Sequence, residues 1–459
     1  MLQRINGGVS DERGGGCGSA SATSARSRGR TVNGVMAAAV LLLGALRANA
    51  EDLFTSPYLL GSWGGERTRL ADHGIAFEFN YVGEVAHNDS GGTRQLTRYT
   101  DQWLFGTTVD LDRAWGWRGG TFQVSYTDRD GHNLGVDAHI GNSELLQEVY
   151  GRSQTWHLTE FSVDQKLLND RLDIKLGRLT IDQDFASFSC EFQNLTFCGS
   201  QPGNVVSHYW VNWPTSEWAT RVKVKTSTET YLQAGLYQVN PRYLDDGYAR
   251  RDGWRLDNPK GTTGALIPVE LGWQPIFDGR PGSYKVGAWY NTSNGPDLYD
   301  DIDGNPRGET GLDPRIRKSQ YGAYLSFHQK LTGLGEGNGA SVFLNITQAD
   351  RATAPLDRQI ATGVIYRGPF ARDRDAIGLG VGATHSNPRL AAFMREYNAR
   401  TGQATIAGGG YEYVIELYYS WAPIPALYLR PNLQYVARPG GSSDNRDAFV
   451  VGLKSGITF

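Results

Sequence analysis

Past residue 50 the chain has no run of the roughly 18 apolar residues that a membrane-crossing helix needs. That excludes a helical membrane protein but not a closed β-barrel, which crosses a bilayer without apolar helices. Charge of one sign is also missing. The net charge is −3, and no basic tract follows the first 30 residues, so nothing points to nucleic acid as a partner. His157, His208, His328 and His385 show no H-x-x-x-H spacing, and there is no G-x-S-x-G or phosphate loop. Metal catalysis, nucleophile-elbow hydrolysis and nucleotide use are therefore not expected, and neither is a cofactor. Paired carboxylates of a glycoside hydrolase are defined by their separation in space, so a carbohydrate-active β protein stays open as an alternative.

Cysteine and methionine are scarce too, at three each. What is abundant is glycine, with 58 residues, alongside 23 tyrosines, 12 tryptophans and 17 phenylalanines. Glycine and aromatics in many short alternating runs point to β structure.

The N-terminus reads as an export signal. Arg26, Arg28 and Arg30 precede an apolar run from Val35 to Leu46, and Ala48-Asn49-Ala50 fits an A-x-A cleavage site. Residues 1–50 are thus expected to be a cleaved leader, with the mature chain starting near Glu51. The basic region is longer than such leaders need, which fits a translation start downstream of Met1. Export removes Cys17 and leaves Cys190 and Cys198 in an oxidising compartment. A disulfide is the expected state, worth roughly 2.5 kcal/mol by the chain-entropy argument. A metal site or a reactive thiol are the alternatives, and no histidine lies near either cysteine in sequence.

Residues 51–74 hold Gly61-Ser62-Trp63-Gly64-Gly65 and a short helical stretch, Thr68 to Asp72, stopped by Gly74. They are expected to form a periplasmic or plug segment. From Ile75 the hydropathy alternates with period two. Ile75, Phe77, Phe79, Tyr81 and Val85 share one face, and Glu78, Asn80 and Glu84 share the other. The same alternation recurs to the end of the chain, in Phe122–Thr127, Arg221–Lys225, Tyr231–Val239, Tyr284–Tyr290, Ile415–Tyr419 and Phe449–Ile457. About sixteen strands of membrane-barrel length can be drawn, with short turns alternating with long polar loops as in a porin. Trp115, Trp117, Trp273, Tyr418, Tyr419 and Trp421 near strand ends suit interfacial girdles. The expectation is an all-β, transmembrane antiparallel barrel over residues 75–459, in a bacterial outer membrane. Lipid and the barrel-assembly machinery are its expected partners.

One stretch breaks the pattern. Leu172, Ile174 and Leu176 alternate with Asp173, Lys175 and Gly177. The chain then enters a long irregular loop with acids, phenylalanines and both cysteines. A long loop inside a strand-rich chain is usually functional, and this one is expected to fold inward and narrow the pore.

Several segments taken in order resemble the carbohydrate-selective outer-membrane porins of the OprB type. They include Gly61-Ser62-Trp63-Gly64-Gly65, Lys175-Leu176-Gly177-Arg178, Asp184-Phe185-Ala186 before the cysteine loop, Gln233-Ala234-Gly235-Leu236-Tyr237, Lys285–Thr292 and Leu429–Tyr435. The resemblance implies a sixteen-stranded barrel that passes sugars such as glucose passively. A general diffusion porin without sugar preference is the alternative within the same fold. The acidic loop 297–313 and the tail of loop 387–410 match no pattern of that family. Asp297, Asp300, Asp301 and Asp303 before Gly304-Asn305 loosely fit a calcium loop but lack its bidentate glutamate, so a plain acidic surface loop is expected.

A sugar channel needs multivalent hydrogen-bonding groups for hydroxyls and flat aromatic faces for the C–H side of the ring. Candidate lining residues are Glu78, Glu84, Lys175, Arg178, Arg221, Lys223 and Glu416 on strands. Asp182, Asp184 and Phe185 are added from the loop. Arg178 is favoured because it stands where strand becomes loop and matches the family's Gly-Arg or Gly-Lys step.

Overall fold

A computed structural model describes residues 50–404 and 408–459. The expected leader lies outside the described residues, apart from Ala50, which begins a short helix, Ala50–Thr55. Part of the tail of loop 387–410, residues 405–407, also lies outside them.

Sixteen antiparallel strands close into a barrel. In chain order they are β1 (Ile75–Ser90), β2 (Thr97–Asp110), β3 (Gly120–Gly131), β4 (Trp156–Leu167), β5 (Leu172–Leu179) and β6 (Glu217–Lys225). Then come β7 (Thr230–Val239), β8 (Gly264–Trp273), β9 (Arg280–Asn291), β10 (Gln320–Lys330) and β11 (Gly339–Ala349). The last five are β12 (Leu356–Arg367), β13 (Ala376–Ser386), β14 (Tyr411–Ile424), β15 (Leu427–Ala437) and β16 (Ala448–Thr458). Each pairs with its sequence neighbour. β16 pairs with β1, from Asn80 opposite Thr458 to Ser90 opposite Phe449, which closes the ring and leaves no open edge.

The side-chain period of two sorts every strand into two faces. Burial on those faces is the reverse of that in a soluble protein. Leu176 is 54% exposed, Leu271 52% and Val451 45%, whereas Glu270 and Glu416 are fully buried and Lys454 nearly so. Apolar side chains facing outward all round are stable only against an apolar solvent. Charged groups facing inward are stable only if paired or hydrogen-bonded, and the inner wall meets that condition.

Connections alternate in length around the ring. One rim carries turns such as 168–171 and 226–229. Asn169 and Asp170 there adopt left-handed φ of 56° and 61°, a conformation these residues tolerate. The other rim carries 132–155, 180–216, 240–263, 292–319 and 387–410.

Residues 50–74 pack at the short-turn rim against the outward-facing rings of β1. Trp63 lies 5.9 Å from Phe77 and 6.0 Å from Phe79 between ring centroids. Arg67 is held between Tyr58 and Trp63 and donates to the Phe459 carbonyl at 2.6 Å. Leu59 joins Ile424, Ala426 and Phe459 in a small apolar cluster. The helix expected here runs from Glu66 to Asp72, and Gly74 follows at φ 83°.

Candidate functional site

Two long-rim loops, 132–155 and 180–216, fold against the inward faces of the strands. The longer one brings its own core. Phe185, Phe192, Phe197, Val206, Tyr209 and Trp210 are all buried, packed on inward residues that include Tyr237, Leu266, Trp289, Tyr324, Phe343, Ile365 and Tyr418. Glycine on the wall makes room for them. A Cβ at Gly235 would stand 2.9 Å from the Phe185 ring, and one at Gly380 would stand 3.0 Å from the Phe197 ring.

Buried wall polar groups fasten the loop. Both carboxylate oxygens of Glu416 accept loop backbone N–H groups, from Gln193 and Asn194, at 2.8 Å each. Glu270 accepts from the Ala186 N–H and the Tyr231 and Tyr324 hydroxyls, each at 2.8 Å. Lys285 donates to the carbonyl and hydroxyl of Ser187, both at 2.7 Å. Lys454 donates to the carbonyls of Cys190 and Phe192 at 3.1 and 3.0 Å. Cys190 and Cys198 form the expected disulfide near the loop's tip. A sulfur pair bonded in this way does not serve as a metal ligand, although Glu148 lies beside it.

The sequence candidates fall into separate groups rather than one ring. Arg221 pairs with Asp173 at 2.7 Å, Asp164 at 3.2 Å and Asp184 at 3.3 Å, and the neighbouring Lys175 pairs with Glu160 at 2.6 Å. Lys223 sits over the Tyr231 ring. Glu84 lies with Lys454, 3.4 Å away, and accepts the Val149 N–H. Glu78 is exposed on the inward face near the short-turn rim, holding Asn80. Glu416 is an anchor for the loop.

Two more candidates are corrected, beside Glu416 and Glu84, which have no exposed surface and hold loops instead of lining the lumen. Arg178 does not share the face of Lys175. It shares that of Leu172, Ile174 and Leu176, and its register partners are Phe161 and Trp218. It is buried, donating to the Ser216 and Asp257 carbonyls and stacked on Tyr243, so it braces loop 240–263 instead of lining the lumen. The same period-two rule that defined the outer face of β5 assigns Arg178 to it. Phe185 has no exposed surface, because its ring fills the hollow left by Gly235; it anchors the loop and offers no face to a passing sugar.

Asp182, by contrast, stands in a polar cluster that sequence reasoning missed. Burial pushes its carboxyl up to about 6, against backbone N–H bonds and the Arg129 charge that pull it down. Arg129 donates to the Gln102 side chain at 2.8 Å, and the Trp213 indole donates to the same oxygen at 3.2 Å. Glu148 is held by Lys454 at 2.7 Å. Arg152 completes the group. Burial first, and then the like charge of Arg129, lower its guanidinium to about 10. Arg129 was findable, since it continues the inward set Gln123, Ser125 and Thr127 of β3. Trp213 and Glu148 sit on irregular loops, where no periodicity signals direction.

The acidic loop is built differently. Gly295–Asp301 and Pro314–Arg317 form a small hairpin outside the barrel sheet. Asp297 accepts from Arg317, Arg389 and two backbone N–H groups. Burial raises its carboxyl, but those bonds outweigh it and hold the group at about 2. Asp301 is taken up by Asn305, Asp303 and Thr310. These carboxylates close the hairpin and tie it to loop 387–410 through Arg389.

A family model described as "Carbohydrate-selective porin, OprB family" matches residues 94–459. The chain is 40% identical to Porin B of Pseudomonas aeruginosa over 453 residues, 95% of this chain and 98% of that protein. It is 33% identical to a putative porin, QuiX, of Acinetobacter baylyi, across 93% of this chain and 98% of that one. The high-pH structure of Pseudomonas putida OprB superposes with a TM-score of 0.84 at 38% identity, covering 88% of this chain and 99% of that chain.

Proposed function

The chain belongs to the carbohydrate-selective porins of the OprB family, and on that premise we propose that it carries glucose and related sugars passively across a Gram-negative outer membrane. The observation that carries the reading is the cluster of Arg129, Arg152, Asp182, Glu148 and Gln102 beside the Trp213 indole. Ionised and amide groups exchange hydrogen bonds with sugar hydroxyls, and the indole offers an apolar face to ring C–H bonds. Binding by such groups is weak enough for release, as conduction requires. Loop 180–216, fastened by Glu416, Glu270 and Lys285, is the constriction, and loop 132–155 supplies its opposite side. Asp182 remains a lining residue, and the fully buried Glu84 braces Lys454 and loop 132–155. Lys175, Arg221, Asp184 and Lys223 form a paired ladder that keeps the wall wet and rigid, and Glu78 lines the short-turn end. Residues 50–74 act as a periplasmic clasp on the barrel seam, after export and removal of the leader.

Single-channel conductance of the refolded mature protein in a planar bilayer tests this. A steady conductance that falls as glucose is added is the expected result. A conductance indifferent to sugars would mean a general diffusion porin. Silence from folded, inserted protein would favour a carbohydrate-active β protein.

A further inference from the structure

Between the tip of loop 180–216 and the short-turn rim lies a cavity of about 390 Å³, lined in part by Glu191, Ser283, His328, Lys330, Ser341 and Arg367. The wall residues come from four successive strands, β9 to β12. Each lies on the inward-facing set: Ser283 with Lys285 and Trp289, His328 and Lys330 with Tyr324, Ser341 with Phe343, and Arg367 with Ile365. The cavity is therefore part of the lumen, on the opposite side of the loop tip from the long-loop rim. It is separate from the Arg129–Asp182 cluster, none of whose members line it.

Its lid is fixed from several directions. Glu191 accepts from Arg367 and from the Tyr418 hydroxyl, and its carbonyl accepts from Arg430. The acid is spent on the wall and so serves as a strut. What stays available to a guest is a mixed set: the Ser283 and Ser341 hydroxyls on the two strands that flank β10, the His328 imidazole, and the remaining N–H groups of Arg367. Pro275, Ile276 and Pro281 supply an apolar edge to the same space. Cations and acids are balanced here, since Lys330 and Arg367 face Glu191 and Glu336. Donors and acceptors at several bearings, one apolar edge and no excess charge suit a neutral polyhydroxylated ring better than an anion.

We propose that this vestibule is a second, exit-side subsite for a neutral monosaccharide, so that sugar leaves the constriction by stepping to a further weak station. The proposal rests on the sugar-channel reading. Two weak sites in series speed release, because neither holds the solute tightly.

Reporter thiols test it on the full mature chain in detergent or liposomes. Ser341→Cys reports on the vestibule, Gln183→Cys on the loop beside Asp182, and Thr228→Cys on the exposed turn 226–229 of the short-turn rim. Each is labelled with a charged methanethiosulfonate, with labelling read by peptide mass and glucose as the probe. At glucose about four times its half-saturation value, mass action makes Ser341→Cys react about fivefold more slowly, with Thr228→Cys unchanged. Ser283→Cys is the second vestibule reporter should Ser341→Cys fail to fold. Protection at Gln183→Cys without protection in the vestibule would overturn the second station and leave the channel reading standing. No protection at any reporter, with a conductance indifferent to glucose, would overturn both.

Discussion

Loops 180–216 and 292–319 are both long, both acidic and both on the same rim, yet they end in different places. The first lies inside the barrel and the second forms a hairpin outside the barrel sheet, held against loop 387–410. The difference is in what the wall offers them. Glu416, Glu270 and Lys454 stand buried on inward faces, each with hydrogen bonds to backbone groups of the loop. Loop 292–319 meets no such wall. Its aspartates are satisfied by Arg317, by Arg389 and by its own backbone. Loop length thus decides little, and complementary buried groups decide where a loop goes.

The sharpest way to break the contrast is Glu416→Ala. It strands two buried loop N–H groups at about 1–3 kcal/mol each, while a native-like barrel remains. Conductance is expected to rise several-fold and glucose block to vanish in the planar bilayer. Unchanged block would mean that the anchor is dispensable. Cys190→Ser comes next. It removes a loop closure worth about 2.5 kcal/mol, so conductance should rise and glucose selectivity fall. Identical traces from the variant would mean that the crosslink does not shape the constriction.

Asp182 gives a smaller, pH-dependent effect. Its carboxyl sits at about 6, above the ordinary carboxylate range, so it is neutral below that pH and charged above it. Cation preference in reversal-potential measurements should rise through pH 6, and Asp182→Asn should flatten that rise. The linkage has the corresponding sign: with a raised folded-state pKa, ionising Asp182 costs stability as pH climbs from about 4 through about 6. Arg178→Ala should leave glucose block intact and instead speed proteolysis in loop 240–263. A lost block would return Arg178 to the lumen. The least effect belongs to Asp303→Asn, at an exposed tip, where conductance and glucose block should match the parent protein.

The sequence made much of this legible. Alternation separated Ile75, Phe77 and Phe79 from Glu78 and Glu84, and recurrence along the chain gave a sixteen-stranded ring. It also marked the cysteine loop as the irregular element. Arg178 shows where reading went astray: its position at the strand's end outweighed its parity with Leu176. Phe185 shows a different limit. An aromatic in a loop looks the same in sequence whether it faces solvent or fills the hollow at Gly235, which lies on a distant strand.

What the sequence determined alone was the faces, because a strand's two-residue period is local and each side chain's direction follows from its neighbours. Tertiary structure decided which inward charges meet. Asp182 reaches Arg129, Glu84 reaches Lys454 and Glu416 reaches Gln193 only after the ring has closed and two loops have folded into it. Those pairings depend on separations in space between strands far apart in the chain, and no local pattern encodes them.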